Sequence, residues 1–124
     1  MKQQKFLLIT GGILGFTGIA SGAFGAHSLK NQITPEMLEI FKTGVFYQLI
    51  HTAVVFSIAL SGKDIFYKPA LFLISGIILF SFSLYLYALT NVRLFAFITP
   101  FGGVSFLAGW TLIAISTFRE KKKE

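Results

Sequence analysis

The 124-residue sequence contains no cysteine. Disulfides, thiolate-held metals and cysteine nucleophiles are therefore excluded. Charge is scarce: 13% of residues are Asp, Glu, Lys or Arg, against about 25% in ordinary soluble domains. So few charged groups cannot cover a surface that faces water. The two histidines have no inward carboxylate to join them, and zinc usually takes three or four protein ligands. A metal site is not expected. No nucleophile–base pair and no pair of inward carboxylates stands out, so neither an enzyme nor a cofactor is expected.

What is present is apolar. Hydrophobic residues make up 54% of the chain, Phe alone occurs 15 times, and mean hydropathy is +0.73. The net charge of +6 would raise nucleic-acid binding in a soluble protein. Here the basic residues form no face and sit at the ends of apolar runs. Lys2 and Lys5 precede the first run; Arg119, Lys121, Lys122 and Lys123 follow the last. That placement suits anionic lipid headgroups, so the expected partner is the bilayer and not nucleic acid.

A helix needs about 20 apolar residues to cross a hydrocarbon core of roughly 30 Å. Four runs qualify, at about 6–26, 45–61, 70–90 and 94–118. The expected fold is all-α: one transmembrane domain, an integral membrane four-helix bundle. An amphipathic interfacial helix is expected at about 35–44, running straight into the second span. Thr34 suits its N-cap, Pro35 its first position and Glu36 its positive dipole end. Gly62-Lys63-Asp64 opens the second loop, Pro69 fits the first position of the third helix, and Asn91-Val92-Arg93 suits a tight hairpin. The side holding both termini and the second loop carries eight Lys or Arg; the other side carries Lys30, Lys42 and Arg93. Both termini are therefore expected in the cytoplasm of a multi-pass protein of the cell membrane. Lys2, Lys5 and small residues at Ser21 and Ala23 also match a cleavable signal peptide. The apolar run exceeds the usual h-region of roughly 7–15 residues, so a span is the expectation.

Gly11, Gly15, Gly18, Gly22 and Gly25 recur at steps of four and three. At about 100° per residue they lie within roughly 40° of one line. Such small-xxx-small spacing lets two backbones approach closely in lipid. A pore wall is the weaker reading of the same stripe. Matching stripes are Gly44, Gln48, His51, Val55 and Ile58 in the second span, Gly76, Ser83, Tyr87 and Thr90 in the third, and Gly102, Gly109 and Ser116 in the fourth.

Counting depth from the span boundaries places His51 about six residues, or about 9 Å, below the outer face. Ser83, Tyr87, Thr99 and Pro100 fall at that level, with Tyr47 and Gln48 one turn above. A polar cluster centred on His51 is expected, with Gln48, Tyr47 and Tyr87 as its partners. An intramembrane ionisable residue raises a functional hypothesis, yet a neutral imidazole is also a donor and an acceptor that can staple helices. His27 lies at a span end, where water solvates it. Pro100 cannot donate to the carbonyl of Ala96 and is expected to interrupt the fourth span. Trp110 falls in the inner half of that span, away from either interface.

Gly22-Ala23-Phe24-Gly25-Ala26-His27, Tyr47-Gln48 with His51, and Thr99-Pro100-Phe101-Gly102-Gly103 with Gly109-Trp110 together resemble one family. It is the group of small membrane proteins known as domain of unknown function 423, found in bacteria and with animal relatives. The resemblance spans nearly the whole chain. It implies a four-helix integral membrane protein with no established reaction, substrate or cofactor, and it marks His27, Tyr47, Gln48, His51, Thr99 and Pro100 as positions of interest. Phe95-Ala96-Phe97-Ile98 departs from the Gly-Ala pair the family tends to place before Ile-Thr-Pro. The expected role is structural or interactive, alone, as a homo-oligomer or with a membrane-protein partner. The alternative is a small-solute or proton conduit through the His51 cluster.

Overall fold

In a computed structural model that describes residues 1–121, four long helices follow one another. They are α1 (Lys2–Leu29), α2 (Pro35–Ser61), α3 (Asp64–Thr90) and α4 (Arg93–Lys121). Each is long and apolar enough to cross a membrane. Of the basic residues that bear on orientation, Lys122 and Lys123 lie outside the described residues.

The helix ends follow local chemistry. Thr34 is extended, with φ −65° and ψ 154°, and its hydroxyl accepts from the backbone N–H of Met37 at 3.2 Å. Pro35 then loses no needed donor. The amphipathic stretch and the second span are one helix, α2, whose first turns keep Glu36, Glu39 and Lys42 exposed while burying Phe41 and Val45. Gly62 closes α2 in the left-handed region at φ 66°, a conformation that costs other residues a Cβ clash. Asn91 does the same for α3 at φ 56°, as a short polar side chain can. Pro69 departs from expectation. A 3-10 turn over Asp64–Phe66 starts the helix early, so Pro69 is the third residue of the α-helical stretch from Tyr67. Its N–H would be free there too, which is why the helix accepts it.

The helices pack as a row folded on itself: α1 chiefly on α2, α2 on α3, and α3 on α4. The five glycines of the α1 stripe face α2. Cβ atoms built on Gly11, Gly15, Gly18, Gly22 and Gly25 would meet Phe56, Thr52, Leu49, Val45 and Phe41, in that order. The steps rise on one helix and fall on the other, as antiparallel neighbours in constant register must. Gly12, next to the stripe, meets nothing.

Two turns of the bundle are π-helical, Ser21–Gly25 in α1 and Ile77–Ser81 in α3. Nothing in the apolar periodicity announces them. The second is clasped from both sides: Gly44 of α2 sits 3.1 Å from the Ser81 carbonyl, measured from an added Cβ, and Gly102 of α4 lies against the backbone of Leu79 and Phe80. The seat of Gly102 bears on the expected break at Pro100. No break forms; α4 runs through Pro100 as one helix. Close packing two residues beyond the proline holds α4 along α3.

A methyl group on Gly102 would strike α3 main chain, whereas one on Gly103 meets open space. Gly102→Ala should therefore destabilise the detergent-solubilised protein by about 1–3 kcal/mol and Gly103→Ala should not. Thermal unfolding of the two variants side by side checks this.

Candidate intramembrane polar site

Gln48 is the most buried polar side chain of the second span, at 0% exposure. Its amide donates to the Leu14 carbonyl at 2.9 Å and to the Thr17 hydroxyl at 3.0 Å, both on α1. Its carbonyl accepts from the Tyr85 hydroxyl of α3 at 2.6 Å. One residue thus ties three helices. Gly44, one turn away, leaves the room in which the Tyr85 ring lies, and Phe41 packs on that ring with centroids 4.8 Å apart.

His51 lies one turn deeper and faces another way. Nδ1 is 2.7 Å from the Tyr47 carbonyl, which can only accept, so Nδ1 carries the proton. Nε2 is then an acceptor, and the indole N–H of Trp110 donates to it at 3.2 Å. This is a neutral imidazole with both nitrogens engaged. Its ring stacks on Phe106 at 3.8 Å and 15°. Because α2 and α4 meet chiefly through side chains, this pair is a principal tie between them.

Ser83 and Thr99 form a third link, hydroxyl to hydroxyl at 2.7 Å, between α3 and α4. Ser83 also donates to the Phe80 carbonyl at 2.8 Å. The hydroxyls of Thr52 and Ser81 are buried without a partner among the described residues.

The expected single cluster around His51 is thus corrected to three separate ties. Gln48 is not a partner of His51: residues three apart on a helix point about 60° away from each other, enough to send one to α1 and α3 and the other to α4. Tyr47 serves His51 through its carbonyl, with its ring stacked 5.9 Å away. Tyr87 does not join. Tyr85, two residues earlier and on the opposite side of α3, bonds Gln48 and not His51, while Tyr87 lies at the helix end beside Asn91 and Arg93. Ser83 and Thr99 meet each other and not the histidine. Pro100 lines a groove that His51 also lines. His27 is exposed. Among the described residues no group of three or more His, Asp or Glu side chains gathers to hold a metal.

Sequence reasoning missed Tyr85, Thr17, Phe106 and Trp110. The error for Trp110 lies in the origin of the depth count. Measured from the helix starts, His51 stands sixteen residues after Pro35 and Trp110 seventeen after Arg93, so they are level. Measured from the apolar boundary at Val45, His51 is drawn ten residues too shallow. An indole N–H deep in hydrocarbon, needing an acceptor, was the available signal.

Tyr85→Phe leaves the Gln48 carbonyl oxygen without its donor. A loss of about 1 kcal/mol is expected, and Gln48→Leu combined with Tyr85→Phe should cost less than the two single changes added. Unfolding of the four proteins in one detergent reads this out.

Compared with known proteins, the chain matches the family described as Protein of unknown function (DUF423) over residues 21–103. It is 43% identical over 124 residues to the UPF0382 inner membrane protein YgdD of Escherichia coli K12, covering 97% of this chain and 95% of that one. It is 36% identical over 119 residues to a UPF0382 membrane protein of Staphylococcus saprophyticus (94% and 99%). With the UPF0382 membrane protein YwdK of Bacillus subtilis it shares 34% over 121 residues (94% and 98%). No solved structure matches. Four apolar helices, the matched family segment and relatives aligned from end to end lead to one assignment: the chain belongs to the DUF423 family, as a multi-pass membrane protein.

Proposed function

We propose that this protein is a non-catalytic membrane component with a structural or interaction role in the bilayer, acting alone, as a homo-oligomer or with another membrane protein. The observation that carries the reading is the use made of its polar groups. Gln48 and His51 are spent on fastening helices together: every polar atom of both side chains has a partner. A conduit needs such groups free to exchange a proton or a solute. The middle of the bundle is filled instead by Val55, Leu73 and Ile77, each at 0% exposure. The groove beside His51 and Trp110 opens sideways, where Val104 and Leu107 are exposed. A sideways opening meets lipid or a neighbouring helix, not the two aqueous phases.

Purified protein in liposomes should pass protons and small solutes no faster than empty vesicles do, and His51→Ala should change nothing. A protein-dependent flux that His51→Ala abolishes would replace this reading with the conduit.

We further propose that both termini face the cytoplasm, because eight of the eleven Lys and Arg lie on that side. A fluorescent reporter that matures only in the cytoplasm should light up when fused to the C-terminus. A periplasmic phosphatase fused there should stay inactive.

A further inference from the structure

At the membrane edge opposite the termini, the loop before α2 and the hairpin between α3 and α4 enclose an open pocket of about 560 Å³. It differs from the groove beside His51 in carrying charge of both signs. Glu36 comes from the first turn of α2 and Arg93 from the first turn of α4. Neither is paired: the ion pairs among the described residues are Lys42 with Glu39 and Lys63 with Glu120. Ile33, Met37, Tyr87, Ala88 and Leu89 supply the less polar part of the lining.

The pocket stands above the groove. Glu36 and Tyr47 are eleven residues apart on α2, Tyr87 and Phe80 seven on α3, and Arg93 and Pro100 seven on α4; each separation is close to whole helical turns. The first of each pair lines the pocket and the second lines the groove. Pocket and groove share no lining residue but lie in line along the same faces of three helices, a stacked valley charged at the water edge and apolar below. The groove starts about 10 Å beneath Arg93, at Pro100, and is walled by the aromatic rings of Tyr47, Phe80, Phe106 and Trp110. Gly103 keeps it open, with nothing near the place of its missing Cβ.

We propose that this valley binds one phospholipid with a zwitterionic amine headgroup, its phosphate at Arg93, its ammonium at Glu36 and one acyl chain in the aromatic groove. The charge order selects the occupant. An anionic lipid would satisfy Arg93 and meet Glu36 as a like charge. A quaternary amine could not donate hydrogen bonds to the carboxylate. The chain's one tryptophan lies in the groove and reports on it.

The experiment uses the full chain in phosphatidylcholine vesicles containing, at one low mole fraction, a lipid brominated on its acyl chains. Brominated phosphatidylethanolamine should quench Trp110 as though enriched about fivefold around the protein relative to brominated phosphatidylglycerol or phosphatidylcholine. Glu36→Gln and Arg93→Gln should each abolish the enrichment. Both side chains are exposed, so an unchanged melting temperature confirms that the variants still fold. Equal quenching by the three lipids, a preference for the anionic one, or enrichment that survives both substitutions would overturn the proposal. Flux through liposomes does not enter the measurement, so its outcome is independent of the structural role proposed above.

Discussion

Close approach of main chains in hydrocarbon is the constraint on which the rest of this structure depends. Lipid tails are as apolar as leucine, so burying an apolar face gains little, and helices are held by van der Waals contact at short range. Glycine makes that range accessible. Five glycines let α1 lie along α2. Gly44 and Gly102 do more, since they grip the π-helical turn of α3 from opposite sides. A π-turn carries one residue more per loop than its surroundings and leaves backbone groups out of register. Clasping it between two neighbours keeps the irregularity away from lipid, where backbone polar groups find no partner.

The polar side chains follow from the same solvent. In hydrocarbon a donor or acceptor has only the protein to turn to, so some bond their own helix and others become ties between helices. Gln48 joins α1, α2 and α3; Ser83 and Thr99 join α3 to α4; His51 and Trp110 join α2 to α4. These ties sit where backbones are already close or, between α2 and α4, where they are not. The outer helices α1 and α4 bury less of themselves than the middle pair. The surface they leave to the membrane includes Phe16, Phe97, Phe101 and Leu107, and it is where lipid is met.

A good part of this was legible in the amino-acid order. Run length and charge placement called for four spans because the thickness of the bilayer is a fixed yardstick. The glycine spacing announced a close helix contact along one face of α1, and Thr34-Pro35 with Gly62 marked the two ends of α2, because capping and left-handed backbone are local chemistry; that α2 fills that face came from the structure. The buried face of α2 was legible too: Gly44, Gln48, His51, Val55 and Ile58 all lie inside.

What each inward group touches was decided only in three dimensions. Tyr85 and Tyr87 look equally eligible in the sequence, yet they point to opposite sides of α3. Gln48 and His51 share a stripe, yet 60° of rotation gives them different neighbours. Rotation of one helix against the next depends on packing from several sides at once, and the π-turn in α3 shifts the register of everything beyond it. Periodicity within a segment tells which face is inward. The partner across the gap is a property of all four helices together, settled where glycine removes a side chain and the neighbouring helix moves in.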